Sequence, residues 1–445
     1  MHKLTSMLLM SLLGISLLQA QSGVVPVSLV QNADGSWQLM RDGKPYYIQG
    51  VGGQTQLEKA KEIGANTIRT WSTDDAGEVL DAAHKQGLTV MLGLWAQHER
   101  HGFNYDDTAK VRAQLNYFTE VVKKYKDHPA LLIWGIGNEV DLFYTNTNVW
   151  YAINDIAEMI HRVDPNHPTS TVTAGLDPAE VKLIHERAPA IDIYGVNTYG
   201  DIGNVKGKIK QYGWDGPYMI TEWGPNGHWE VNKTKWGAPV EQSSTEKAQS
   251  YRERYASAIL GDKPQCIGSF VFLWGFKQET TSTWYGMFDE KNASSEAVDV
   301  LAEYWNPSAL INTAPKLDSA RLDGKIKGDI IVFDPETRAQ SIVYCTDKEG
   351  DKLKYVWEVV TESRDIKAGG DAETRPPALM GIRGKKKQNT FSFRVPNDEG
   401  AYRLFIYVYD GNNHYAYCNI PFYVKDQSKI KPRPLSFKKQ ELSSK

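Results

Sequence analysis

Two short runs in this 445-residue sequence each carry an apolar stretch to a glutamate: Trp134-Gly-Ile-Gly-Asn-Glu139 and Tyr218-Met-Ile-Thr-Glu222, the latter followed by Trp223. A lone carboxylate is ordinary surface chemistry. Two of them, each delivered by a buried β-run, can act on one bond from opposite sides. One carboxyl group, protonated, donates to a departing oxygen, while the other, ionised, attacks the carbon or activates a water. That is the minimum equipment for cleaving a glycosidic bond, and Glu139 and Glu222 are the catalytic candidates.

Something must bring two glutamates 83 positions apart to one place. Between residues 45 and 305 short β-rich runs alternate with longer helical patterns. Strands are expected at Tyr47–Gly50, Asn66–Trp71, Thr89–Leu94, Leu131–Gly137, Ser170–Thr173, Ile191–Asn197, Tyr218–Thr221 and Gly268–Trp274. Amphipathic helices such as Ala76–Gln86, Thr108–Tyr125 and Tyr151–Val163 lie between them, with Gly64, Gly87 and Pro129 at the turns. Eight such units match the size of a (β/α)8 TIM barrel, whose catalytic groups sit at the C-terminal ends of the strands. A doubly wound open sheet fits less well, because no glycine-rich phosphate turn follows the first strand.

The remaining sequence divides around this barrel. Residues 1–20 carry His2 and Lys3 before an apolar run from Met7 to Leu18, the pattern of a secretory signal cleaved after Ala20. A β lead-in is expected over 21–44, with Asp34-Gly35 as its hairpin turn, and a linker over 306–316 with Pro307 and Pro315. Residues 317–425 switch to short strands between Asp/Gly/Asn turns, the pattern of an immunoglobulin-like β-sandwich. The Lys/Ser-rich stretch 426–445 reads as a disordered tail.

Polar and aromatic residues gather at the expected strand ends. Strand two ends Ile68-Arg69-Thr70-Trp71, strand three leads into Trp95 and His98, and strand four gives Asn138-Glu139. Strand six ends Asn197-Thr-Tyr199, strand seven gives Glu222-Trp223, and strand eight ends at Trp274. Over residues 45 to 305 this combination resembles the clan of retaining (β/α)8 glycoside hydrolases. The resemblance implies Glu139 as acid/base, about 5–5.5 Å from the nucleophile Glu222 in such enzymes. It also implies Arg69 as the cation beside the nucleophile, Asn138 on a sugar hydroxyl, Tyr199 near Glu222, and Trp274 as the floor of the reacting-sugar subsite. Trp95, His98, Asn197 and Trp223 complete the substrate-binding candidates. Arg69, Tyr199 and Trp274 each keep a purely structural alternative, as a barrel-mouth ion pair, a rim tyrosine or a core tryptophan. His98, Glu99 and His101 lie in a loop without a third strong ligand, so no metal or other cofactor is expected.

A net charge of −3 offers no basic field for nucleic acid, and no segment beyond the leader is apolar enough to span a bilayer. A secreted or periplasmic monomer acting on a polysaccharide or oligosaccharide is the expectation. The 13 Trp and 23 Tyr suit stacking on sugar rings, although most such rings in a large protein fill its core. Trp223, Trp229, Trp236, Trp284 and Tyr285 follow strands seven and eight and could line a groove. The Asp74-Asp75 stretch resembles fungal β-1,3-glucanosyltransferases, and the two-domain layout is similar to bacterial endo-β-1,3-glucanases. An endo-β-1,3-glucanase is therefore the expected activity, with a transglycosylase, an exo-β-glycosidase or a non-catalytic glycan-binding protein as alternatives. The sandwich is expected to be a packing or spacing module, its Phe405, Tyr407 and Tyr409 alternating on one face as core, with a glycan-binding platform including Tyr402, Tyr415 and Tyr417 as the alternative. Cys345 and Cys418 could form a disulfide or remain separate thiols, and Cys266 reads as a small buried hydrophobe.

Overall fold

The computed structural model describes residues 23–380 and 384–426. The expected leader lies outside this range, as does the expected tail apart from its first residue.

A three-stranded antiparallel sheet opens the described chain: β1 (Val27–Gln31), β2 (Trp37–Arg41) and β3 (Lys44–Tyr46). Gly35, at φ +83°, takes the left-handed position of the β1–β2 turn. Eight parallel strands then close into a barrel: β4 (Ile48–Gly52), β5 (Thr67–Arg69), β6 (Thr89–Leu94), β7 (Leu131–Ile136), β8 (Thr169–Ala174), β9 (Ile193–Asn197), β10 (Tyr218–Trp223) and β11 (Cys266–Val271). β11 pairs with β4, so the barrel has no open edge.

Among the described residues eight α-helices surround the strands: α1 (Leu57–Glu62), α2 (Ala76–Lys85), α3 (Thr108–Tyr125), α4 (Val149–Val163), α5 (Pro178–Arg187), α6 (Val205–Gln211), α7 (Ser244–Arg254) and α8 (Glu296–Trp305). Local chemistry sets their ends. Asp177 accepts from Ala179 N at the start of α5, with Pro178 in the first turn. Ser243 and Glu246 form a reciprocal capping box on α7. Gly87, at φ +67°, ends α2, where Leu88 N reaches back to Ala83 O.

The two ends of the barrel differ. Ile48, Leu132, Ile193, Met219 and Ile267 stand at the first or second position of their strands. They share one apolar cluster with Val27 and Leu39 of the lead-in sheet. The lead-in thus seals the N-terminal end of the barrel, and the site must lie at the other.

Beyond α8 the chain forms two four-stranded sheets packed face to face. One holds β12 (Lys316–Leu322), β14 (Arg338–Thr346), β17 (Thr390–Arg394) and β16 (Gly384–Lys387). The other holds β13 (Val332–Phe333), β19 (Tyr415–Val424), β18 (Gly400–Tyr409) and β15 (Lys354–Thr361). Leu404, Ile406 and Val408 point into the sandwich core. Their alternating neighbours Phe405 and Tyr407 lie on the opposite face, clustered with Ala293 of the barrel, Tyr415 and Tyr417. The aromatic row expected inside the sandwich is therefore buried between the two domains. Cys345 and Cys418 are free thiols on strands of opposite sheets, and Cys266 is free and buried.

That interdomain face is held by buried polar groups. Lys247 Nζ lies 2.5 Å from Glu241 Oε1 and donates to Thr283 O at 2.6 Å and Trp284 O at 2.8 Å. Asn419 of β19 donates to Glu241 Oε2 at 2.5 Å, and Arg403 of β18 reaches Pro239 O at 3.0 Å.

Candidate active site

Glu139 and Glu222 line one cavity of about 870 Å³ at the C-terminal mouth of the barrel. Each is delivered by its strand. β7 stops at Ile136, after which Gly137 (φ +72°) and Glu139 (φ +50°) turn the backbone so that Glu139 N bonds to Val172 O at 2.9 Å. A non-glycine residue in the left-handed region is strained, and such strain gathers at functional positions. Glu222 sits within β10 itself.

The two carboxylates have opposite surroundings. Glu222 accepts from Arg69 Nη1 at 3.0 Å and Trp71 Nε1 at 2.8 Å on one oxygen, and from Tyr199 Oη at 3.0 Å on the other. Three donors aimed at two oxygens suit an acceptor-only, anionic group. Glu139 has one donor among the described residues, Asn197 Nδ2 at 2.9 Å. Burial, reinforced by the neighbouring charge of Glu222, pushes its carboxyl up to about 8. One group is thus arranged as a resting acid and the other as a resting anion. Tyr199 is likewise held neutral, well above the usual phenol range, by burial and then by Glu222.

Arg69 and Asn197 tie the pair together. Arg69 Nη1 also meets Thr221 O at 2.7 Å, and its Nη2 donates to Asn138 Oδ1 at 2.6 Å. Asn197 takes a hydrogen bond from Thr221 Oγ1 at 2.8 Å and shares its amide with Asn138 at 3.1 Å. With 2% of its surface exposed, Arg69 sits behind the carboxylates rather than on the cavity wall. Trp95, Asn138, Asn197 and Tyr199 all reach the cavity.

Besides Arg69, three expected binding residues do not. Trp223 is fully buried, its ring stacked on Tyr255 at 5.7 Å. Successive residues of a strand face opposite sides, so Glu222 inward requires Trp223 outward, into the helical layer. Trp274 is also buried, edge-on to Phe288 at 4.8 Å. β11 ends three residues earlier, and Phe272 and Leu273 line the cavity instead. His98 is packed beneath the site with Nε2 2.7 Å from Asn138 O. Burial, with Arg100 nearby, lowers it to about 4, so it supports the Asn138–Glu139 turn as a neutral ring. No metal set forms from His98, Glu99 and His101. Glu99 instead receives Thr145 N and Asn146 N, while His101 pairs with Asp371 at 3.1 Å.

The expected aromatic groove reduces largely to Trp229, 56% exposed and lining the cavity. Trp284 and Tyr285 are buried, and the Trp236 ring packs 5.7 Å from Tyr423 of the sandwich. Trp71, Phe143, Phe272, Lys277 and Glu279 line the cavity although none of them is among the binding candidates read from the sequence. Trp71 had a usable signal, since it stands two residues beyond Arg69 and so faces the same side. Phe143 and Lys277 lie on loops, which carry no such period.

Known proteins share parts of this architecture. Residues 42–227 match the family model for the TIM barrel domain of glycosyl hydrolases family 2. Among curated relatives, β-glucuronidase from Chlorocebus aethiops is 23% identical over 196 residues, covering 39% of this chain and 28% of that protein. β-Glucuronidase from Rattus norvegicus is 21% identical over 321 residues, covering 63% of this chain and 47% of that one. The chain therefore spans less than half the length of these relatives. A calcium-binding mutant of Bacteroides uniformis β-glucuronidase 2 superposes with a TM-score of 0.50 at 14% identity. It covers 90% of this chain and 48% of that structure, a likeness of fold alone. These relatives lend no support to the expected endo-β-1,3-glucanase type. No helix among the described residues is long and apolar enough to cross a membrane.

Proposed function

We propose that this chain is a retaining glycoside hydrolase acting on neutral β-linked glycosides, with Glu139 as acid/base and Glu222 as nucleophile. One observation carries the reading: two carboxylates share a cavity, one held protonated by burial and the other surrounded by three donors. In the first step Glu222 attacks the anomeric carbon while Glu139 gives its proton to the leaving oxygen. In the second, Glu139 takes a proton from water, which releases the sugar from Glu222. Arg69, Trp71 and Tyr199 hold the nucleophile's oxygens throughout.

Charge favours a neutral sugar. Apart from the protonated Glu139, the carboxylates of Asp201, Glu222, Glu230 and Glu279 line the cavity, against Lys277 and Lys367. The Lys277 ammonium is taken by Glu279 at 2.7 Å and Gly370 O at 2.8 Å, which leaves it poorly placed to recognise a uronate carboxylate. The β-glucuronidase names of the relatives therefore do not carry over directly. The β-1,3-glucan reading rests on the likeness of the Asp74-Asp75 stretch and on domain layout, and belongs in the substrate panel beside other neutral β-glycosides. The basic-then-apolar pattern of residues 2–18 supports export as part of the same proposal.

Glu222→Ala should abolish turnover, and azide should restore a slow reaction giving the inverted glycosyl azide. Glu139→Ala should spare substrates with activated leaving groups far more than natural glycosides, because a good leaving group needs little protonation. An undiminished rate in the first variant, or equal losses on both substrate kinds in the second, overturns the assignment.

A further inference from the structure

The cavity is not closed by the barrel alone. Ile366, Lys367, Ala368, Gly369 and Gly370 line it, and they belong to the segment between β15 and β16 of the sandwich. Hydrogen bonds from both sides of the mouth fasten this segment to the barrel. Asp371 receives Arg100 Nη1 at 2.9 Å and pairs with His101 at 3.1 Å. Lys277 Nζ donates to Gly370 O at 2.8 Å, and Thr280 N to Glu373 Oε2 at 2.6 Å. The anchors come from the loops after β6 and β11, on either side of the mouth.

The glycines show that the approach is close. Gly369 and Gly370 have φ of +63° and +70°, which side chains rarely adopt. A Cβ on Gly369 would stand 2.7 Å from Arg100 Nη2 and 2.8 Å from Leu142 Cδ2, and one on Gly370 2.9 Å from Lys277 Nζ. Leu142 is three residues beyond Glu139, on the same loop. The sandwich segment is thus seated against the loop that carries the acid.

We infer that residues 366–370 of the second domain form the wall of the subsite for the leaving-group part of the substrate. The acid must stand beside the oxygen that departs, so whatever lies beyond that oxygen emerges next to the Glu139 loop. There it meets this segment, with Ile366, 45% exposed, offering an apolar contact to a sugar face. The second domain accordingly contributes to the choice of substrate, beyond packing on the barrel. This inference rests on the proposed hydrolase reading.

The test uses the full chain and two variants, Ile366→Ala and a replacement of 366–370 by five residues of Gly and Ser that keeps Asp371. Each is assayed on a β-linked oligosaccharide and on the matching 4-nitrophenyl monoglycoside, whose leaving group is small and activated. The replacement should lower kcat/KM on the oligosaccharide about tenfold or more, and Ile366→Ala severalfold, both mainly through KM. Rates on the monoglycoside should stay within about twofold. Equal change on both substrates, or no change on either by both variants, overturns the inference while leaving the hydrolase reading intact. A wild-type chain without turnover on any β-glycoside overturns that reading and this inference with it. If the replacement fails to fold, Ile366→Ala alone decides, since it alters one half-exposed side chain.

Discussion

Asn197→Ala offers a sharp test of how the acid is tuned. The Asn197 amide donates to Glu139 Oε1 at 2.9 Å, a bond that favours the ionised carboxyl and so opposes the effect of burial. A hydrogen bond to a charged group contributes roughly 1.5–3 kcal/mol. The same amide nitrogen also serves Asn138 Oδ1 at 3.1 Å, so the lower end of that range applies. At about 1.36 kcal/mol per pH unit, removing the donor should raise the protonation of Glu139 by about one pH unit. Because Glu139 must hold its proton in the free enzyme, kcat/KM falls as pH rises through its value of about 8. That alkaline limb should therefore move upward in Asn197→Ala even as the maximal rate drops. Thr221→Val removes only the bond to Asn197 Oδ1 and should leave the limb in place. The measurement is a pH profile of kcat/KM on an unactivated β-linked oligosaccharide, whose poor leaving group needs the proton of Glu139. A limb that stays put or moves to lower pH in Asn197→Ala refutes the reasoning.

Two further outcomes rest on packing. Lys247→Met strands the buried Glu241 carboxylate, a loss of about 3–5 kcal/mol that should lower Tm on the order of 10 °C. Adding Glu241→Gln should recover part of it, and a fall below about 2 °C in the single variant by scanning calorimetry would show that the pair does not hold the domains. Trp229→Ala should raise KM for an oligosaccharide about tenfold with kcat little changed, since an exposed ring supplies stacking area and no proton. An unchanged KM would remove Trp229 from the binding surface.

Much of this architecture is legible in residue order. The run Thr89–Leu94 and the helix Thr108–Tyr125 occur with the expected bounds, because a fully buried parallel strand and a long amphipathic helix leave strong periods. Both carboxylates are visible as residues at or near strand ends. The errors have physical causes. Trp223 is expected in the site although the two-residue alternation of a strand that turns Glu222 inward must turn Trp223 away. Trp274 is expected there from a strand end, whereas β11 stops at Val271 and an irregular backbone re-aims residues 272–274. The wall formed by Ile366–Gly370 has no local signal, for its neighbours Arg100 and Leu142 lie more than 220 positions earlier. The sequence does carry the pair Gly369-Gly370, a mark of close backbone approach whose partner only the fold supplies.

The knot of Glu241, Lys247 and Asn419 bears on how such a protein can change over generations. Its charges pair on the barrel side, Glu241 with Lys247, and the neutral Asn419 amide of the sandwich donates to Glu241 across the seam. Recombination that exchanged the sandwich for an unrelated module would leave this seam one donor short, with a buried carboxylate under-satisfied. Such a graft succeeds only if both faces are rewritten together. The boundary visible in the sequence near residue 306 is therefore a poor place to shuffle.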